Sequence, residues 1–147
     1  DWSLLEKNKD LFEFFKFMID YRKKHPVIRK KLDNAVCGME AMHAHDVNAE
    51  LMEVPQNAKT LAVSFAGYDR KKGKDDLVYV AVNAYWEEVK ITLPNLANHG
   101  AWYLSVDTYG DEKGKYFYQE GEEIRIDREY VMKPRSIVVF TGREILR

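Results

Sequence analysis

Short runs of β-branched and aromatic residues follow one another from Thr60 almost to the end of the chain. These runs are "TLAVSFAG", "LVYVAVNAYW", "VKITLP", "AWYLSVDTYG", "EEIRID" and "SIVVF". Such composition favours β-strands, and the charged glycine segments "DRKKGKDD" and "GDEKGK" between them are typical of turns. Because no helical pattern lies between the runs, successive strands should pair antiparallel. The sequence therefore predicts an antiparallel β-sandwich or barrel in this region.

One amphipathic helical pattern precedes the strands. It begins near "SLLE", where Ser3 and Glu6 have the spacing of a capping box, and we expect it to end at His25, before Pro26. Asn8 and Asp10 allow either one long helix or two shorter ones.

This helix carries an unusual number of large apolar side chains. The stretch "LFEFFKFMIDYRKKHP" has four phenylalanines within six residues. Its apolar arc spans roughly 220°, whereas an arc of about 100° is normal for a surface helix. One sandwich can cover only part of that arc, so we expect Phe14, Phe17 and Tyr21 to face outward as an apolar patch. A patch of this kind predicts either self-association through the helix or contact with another part of a longer polypeptide.

The remaining composition narrows the class of protein. A chain of 147 residues is long enough for one domain. Its 23 basic and 24 acidic residues give a net charge of −1, which creates no field that would recruit nucleic acid or an anionic membrane. The single cysteine, Cys37, predicts a small core residue and suits a reducing compartment, and for the parent protein we expect the cytoplasm. The chain opens at Asp1 on helical sequence, so we expect a piece of a longer polypeptide.

The chemical motifs are weak. His43 and His45 have the i, i+2 spacing that a strand projects to one face, but His25 and His99 stand far from them in sequence and no acidic residue has a telling spacing. We therefore expect structurally bonded or solvated histidines and no metal. There is no "GxSxG" motif, and no carboxylate has surroundings that mark it for catalysis. The sequence predicts a non-catalytic chain without a cofactor.

Aromatic residues crowd the strand region, and three of them are candidate sugar platforms: Tyr85, Trp86 and Trp102. Flat rings on the surface of a sandwich can stack on the faces of sugars, whereas in most sandwiches such rings pack in the core. Both interpretations remain open from the residues alone.

Several segments together resemble one family. "DWSLLEKNKDLFEFFKFMIDYRKKHPVIR" is similar to the last barrel helix of the isoamylase and pullulanase branch of the α-amylase glycoside hydrolases. "DDLVYVAVNAYWEEVKITLPNL" resembles strands and a turn of the C-terminal β-sandwich in that branch, and "WYLSVDTYG" and "KPRSIVVF" resemble its later strands. The resemblance implies an enzyme that hydrolyses α-1,6 branch linkages of glycogen or related glucans by a retaining mechanism with two carboxylates. No position here matches the motifs that hold those carboxylates.

The resemblance implies a mainly β fold in which one long N-terminal helix precedes an antiparallel β-sandwich. We expect residues 1–31 to be the last helix of a catalytic barrel, 32–59 a connecting segment and 60–147 the sandwich. The partner would be the catalytic barrel of the same polypeptide, and α-glucan would be bound through that enzyme. The alternatives are a free-standing glucan-binding module that uses Tyr85, Trp86 or Trp102, and a domain that dimerises through its helix.

Overall fold

A computed structural model describes residues 1–50, 56–97 and 100–144. The helices are α1 (Ser3–Lys7) and α2 (Lys9–Lys24), and Pro26–Ile28 forms a short 3₁₀ turn. The strands are β1 (Met42–His45), β2 (Thr60–Asp69), β3 (Lys74–Asn83), β4 (Val89–Thr92), β5 (Gly100–Asp107), β6 (Ile124–Ile126), β7 (Glu129–Met132) and β8 (Ser136–Glu144). Neither of the two described α-helices is long and apolar enough to cross a membrane.

The helical region begins differently from the prediction and ends as predicted. Ser3 is not an N-cap: it lies inside α1, and its amide and hydroxyl both donate to the Asp1 carboxylate, at 3.0 Å and 2.7 Å. The predicted capping box is therefore not formed: the N-cap position is Trp2, and it makes no side-chain capping bond. Asn8 separates the two helices, and α2 stops at His25, whose amide donates to the Tyr21 carbonyl at 2.9 Å. Pro26 follows, as expected for a helix end.

The strands form two antiparallel sheets, which confirms the predicted fold class. The large sheet has the order β1-β2-β3-β8-β5-β6, and β4 pairs with β7 in a small second sheet. Every strand pair is antiparallel. The large sheet is open, with β1 and β6 at its edges, so the sandwich is the correct alternative rather than the barrel. The predicted turn after β2 is a hairpin turn in which Gly73 takes a φ of 65°.

Two strands lie outside the predicted runs. β1 is the four-residue stretch "MHAH", and it pairs with β2 from Met42 opposite Phe65 to His45 opposite Ala62. β7 is "EYVM", which completes the small sheet against β4. Both strands are short and contain few β-branched residues, so local composition does not mark them. Part of the 32–59 segment therefore belongs to the large sheet.

The large sheet has a core on each face. Along β3, Val78 points to the helix side and Tyr79 to the small-sheet side, as the two-residue period of a strand requires. On β8, Val139 and Phe140 alternate in the same way. Because β3 is covered on both faces, it reads as the continuous apolar run "LVYVAV". The molecule is a three-layer arrangement of helix, large sheet and small sheet.

Candidate functional site

The helix side that meets the sheet is the one that carries Phe14, Phe17 and Tyr21. Phe17 and Tyr21 are 7% and 6% exposed, and Phe14 is half-buried. The Phe17 ring lies 4.8 Å from that of Phe117, and Phe14 packs against Tyr116 with ring centroids 5.4 Å apart. The expectation that these three residues form an outward patch is therefore wrong. The apolar arc was wide enough to offer two stripes to the sheet, and its width did not show which stripe would be used.

A buried polar contact explains which stripe is used. The Tyr21 hydroxyl lies 2.7 Å from Thr141 Oγ1 on β8, and Thr141 in turn lies 2.8 Å from Ser105 Oγ on β5. Burial raises the pKa of Tyr21 far above its ordinary value, so the phenol remains neutral. Tyr21 can bury its ring against the sheet because its hydroxyl finds partners there.

A second polar contact fixes the end of α2. His25 Nδ1 lies 2.6 Å from one carboxylate oxygen of Asp76 on β3, and the other oxygen accepts from the Val27 amide at 3.1 Å. Asp76 is only 4% exposed, and the His25 ring stacks on Tyr21 with centroids 4.3 Å apart. Both oxygens of a buried carboxylate therefore have partners on the helix end. These contacts attach the end of the helix to the large sheet.

The opposite stripe of α2 is exposed and apolar. Leu11, Phe12, Phe15 and Ile19 are between 48% and 60% exposed. Leu11, Phe15 and Ile19 stand four residues apart, so they form one row along the helix, with Phe12 beside it. Trp2, Leu4 and Leu5, at and beside α1, are also exposed. We call the surface formed by Leu11, Phe12, Phe15 and Ile19 the exposed helix face.

The sugar-platform candidates separate into an exposed pair and a core residue. Tyr85 and Trp86 lie in the turn between β3 and β4, with ring centroids 4.3 Å apart and planes at 36°. Trp86 is 65% exposed, and the Lys59 ammonium lies 4.2 Å from the centre of the Tyr85 ring. Trp102 is 3% exposed, and its indole nitrogen donates to the Pro94 carbonyl at 2.8 Å. Trp102 is therefore a core residue, and the structure does not place it with the other two.

The histidine pair is not arranged around a common point. His45 is buried: its Nδ1 donates to the Ala49 carbonyl at 3.1 Å, and its Nε2 lies 2.8 Å from the Ser64 hydroxyl. His43 contacts Glu40 instead. Among the described residues, no three His, Cys, Asp or Glu side chains are placed to hold a metal ion. His99 lies outside the described residues.

Cys37 is half-buried and packs against the core on the small-sheet face. Burial raises the pKa of its thiol, which favours the protonated form. This placement agrees with the predicted role of a small packing residue.

Although basic and acidic residues are nearly equal in number, positive charge is concentrated beside the end of α2. A groove of about 650 Å³ beside the end of α2 is lined by Lys23, Lys24, Arg29, Lys30, Lys31, Arg70, Lys71 and Lys72 together with Asp33 and Asp69. Arg70 is paired with Asp33. Asp75 and Asp76, which follow Lys74 in sequence, accept hydrogen bonds from the amides of Val36 and Val27 instead.

Comparison with known proteins identifies the domain. A family model described as "Isoamylase, C-terminal" matches residues 38–141. The match begins just before β1 and ends within β8, so it contains both sheets and lies after α1 and α2. A search of curated proteins gives no match. The family implies a glycoside hydrolase as the parent protein. Because the match covers more than half of the sequence, the chain belongs to the isoamylase C-terminal domain family.

Proposed function

We propose that this chain is the non-catalytic C-terminal part of a debranching enzyme that hydrolyses α-1,6 linkages of glycogen or related α-glucans. In this proposal the domain packs on the catalytic barrel of the same polypeptide and stabilises it. The observation that carries the proposal is the exposed helix face on a helix that is otherwise firmly attached to the sheet.

The exposed helix face is a large apolar surface for a monomer to leave in water. Leu11, Phe12, Phe15 and Ile19, together with Leu4 and Leu5 of α1, expose about half of each side chain. The four side chains of the exposed helix face make a patch on the order of several hundred Å², at the upper end of what monomers leave uncovered. Each Å² of apolar surface removed from water contributes about 25 cal/mol, so covering the patch stabilises the covered state substantially.

The catalytic domain is the occupant that fits this face best. The helix cannot rotate to bury the face on its own sheet, because Tyr21 and His25 hold the opposite stripe through Thr141 and Asp76. The face is therefore a fixed surface that points away from the domain. A family whose parent proteins are glycoside hydrolases supplies a catalytic domain as the neighbour.

Thiol labelling tests the covering of this face. In a Cys37→Ser background, we expect Phe15→Cys to react rapidly with a thiol reagent in the isolated chain and at least tenfold more slowly in the full-length enzyme. Lys16→Cys is the matched control, because Lys16 is an exposed neighbour on the polar side of α2. It should react at similar rates in both proteins. Equal labelling of Phe15→Cys in both proteins would refute the proposed packing.

The catalytic assignment has its own test. The isolated chain should release no reducing ends from a branched glucan, whereas the full-length enzyme should release them. Activity of the isolated chain, or a parent without debranching activity, would contradict this part of the proposal.

Self-association is the competing use of the exposed helix face. Sedimentation of the isolated chain tests this alternative. If the chain is a dimer that Phe15→Asp converts to a monomer, and if Phe15→Cys is unprotected in the full-length enzyme, the face binds a second copy.

A further inference from the structure

The Tyr85–Trp86 pair is a second surface whose composition points to a ligand. We propose that it is an α-glucan-binding platform outside the catalytic site, on which a glucosyl unit stacks against the Trp86 indole. The identity of the sugar rests on the proposed function, whereas the existence of the platform rests on the geometry of the turn.

The rings of the platform are open to solvent. Trp86 is 65% exposed even though Tyr85 lies against it with ring centroids 4.3 Å apart. Tyr85 is half-buried and has the Lys59 ammonium over its ring at 4.2 Å. Tyr85 therefore supports the indole from one side, and most of the indole surface remains available to a ligand.

The turn that carries these rings is held from within by a buried side chain. Asn83 is 1% exposed; its amide group donates to the carbonyls of Glu87 at 2.9 Å and Lys133 at 3.1 Å. Its side-chain oxygen accepts from the Tyr85 amide at 3.0 Å. One buried amide thus closes the turn around Trp86 and ties it to the segment before β8.

Two neighbouring segments hold the platform from outside the turn. The Arg135 amide donates to the Tyr85 carbonyl at 3.0 Å, and the Ala84 amide donates to the Lys59 carbonyl at 2.9 Å. Arg135 has a φ of 52°, in the left-handed region that residues other than glycine seldom occupy. Backbone strain of this kind persists only where the surroundings enforce it. A platform fixed from three segments loses little conformational freedom when it binds a ligand.

The chemistry of the platform fits a neutral sugar better than a polyanion. An aromatic face stacks on the C–H surface of a pyranose without any need for charge. Glu87 and Glu88 are exposed beside Trp86, and Glu88 forms an ion pair with Lys133. Single-stranded nucleic acid also stacks on aromatic rings, but its sites add a positively charged groove. The charges beside these rings are mixed instead, because Lys59 lies over Tyr85 and Glu88 is paired with Lys133. The charged groups beside the rings can instead hydrogen-bond to sugar hydroxyls.

The platform and the exposed helix face lie on opposite sides of the large sheet. The turn leads from β3 into β4, a strand of the small sheet. The small sheet packs on the opposite side of the large sheet from α2. The two surfaces are therefore compatible in one enzyme: one contacts the barrel and the other holds a distant part of the glucan.

Calorimetric titration of the isolated chain with maltoheptaose tests the platform. We expect saturable binding with a dissociation constant on the order of 1 mM, as is reasonable for a shallow two-ring site. Trp86→Ala should weaken binding by about tenfold or more, and Tyr85→Ala by roughly threefold, because stacking is lost directly or through the support of the indole. Trp2→Ala is the control: it removes an 88% exposed tryptophan at the start of α1, outside the turn, and should leave binding unchanged.

Retardation in glycogen-containing native gels gives a second readout for the same variants, and circular dichroism checks that Trp86→Ala remains folded. The proposal is overturned if the native chain shows no binding of maltoheptaose, or if folded Trp86→Ala binds as tightly as the native chain. A negative binding result would not affect the proposed packing of the exposed helix face, because that packing is tested separately by thiol protection in the full-length enzyme. Conversely, glucan binding by a chain whose Phe15→Cys is unprotected in the parent would retain the platform and remove the docking role.

Discussion

The two sides of α2 have similar apolar composition and opposite surroundings. One side buries Phe17 and Tyr21 on the large sheet, and the other leaves Phe15 and Ile19 more than half exposed. Hydrophobicity alone does not separate the two sides, since each carries large apolar side chains. The difference lies in polar partners: the Tyr21 hydroxyl reaches Thr141, and the helix end reaches Asp76. Specific hydrogen bonds therefore determine which stripe packs inside the domain, and the other stripe remains exposed.

Truncation of the sheet side should give the largest loss of stability. We expect Phe17→Ala to lower the free energy of unfolding of the isolated chain by about 3–5 kcal/mol, because the cavity between helix and sheet cannot close fully. Denaturant unfolding measures the change. A loss below 1 kcal/mol would mean that the helix contributes little to the domain.

Removal of the carboxylate that fixes the helix end should come next. Asp76→Ala leaves His25 and the Val27 amide without their buried acceptor, and we expect it to cost about 3 kcal/mol. Hydrogen exchange should show that protection is lost first in the last turn of α2. Asp20→Ala is the matched control, since Asp20 is an exposed carboxylate on the same helix, and its effect should remain within about 0.5 kcal/mol. Equal effects of the two substitutions would contradict the proposed role of Asp76.

The buried hydroxyl of Tyr21 should matter less, but in a pH-dependent way. Tyr21→Phe removes one buried hydrogen bond at a cost of about 1 kcal/mol at neutral pH, while Thr141 retains Ser105 as a partner.

Burial raises the pKa of Tyr21 in the folded state, so the unfolded chain ionises first as pH rises. The stabilisation that the buried phenol gives to the folded state is therefore complete below about pH 10 and is lost as pH rises above that value. Tyr21→Phe should make the alkaline loss of stability shallower, as followed by urea unfolding from pH 8 to pH 11. Parallel stability curves for the two proteins would show that the phenol is not held neutral in the fold.

Substitutions on the exposed helix face should have the smallest effect in the isolated chain. Phe15→Ala removes a ring that is 60% exposed, so we expect a change within about 0.5 kcal/mol. Thermal unfolding of Phe15→Ala beside Phe17→Ala measures the contrast directly. A large loss from Phe15→Ala would mean that this side also packs within the chain.

The sequence predicts most of the sheet because the local composition of its longer strands favours β-structure. β3, β5 and β8 combine β-branched and aromatic residues, and their runs appear as predicted. β1 and β7 are not predicted, because each is only four residues long and is stabilised by pairing with another strand. Their existence depends on tertiary contacts rather than on propensity.

Sequence reasoning is less successful at the candidate sites, for a related reason. The arc of the helix identifies an apolar excess, but the choice of stripe depends on Thr141 and Asp76, which are distant in sequence. Trp86 and Trp102 have similar sequence surroundings, since each stands next to a tyrosine near strand-forming residues. Alternation along β5 places Trp102 with Leu104 in the core on the small-sheet face, whereas the turn after β3 projects Trp86 into solvent. The long-range contacts that decide these outcomes have no local signature.

The central claim is that one side of α2 belongs to this domain and the other to its neighbour in the same polypeptide. Its most direct test is the effect of Phe15→Asp on the free energy of unfolding, measured by denaturant titration in the isolated chain and in the full-length enzyme. In the isolated chain we predict a change within about 0.5 kcal/mol. In the full-length enzyme we predict a loss of about 3 kcal/mol or more, because the buried charge would have no partner. Equal small effects in both proteins would contradict the claim.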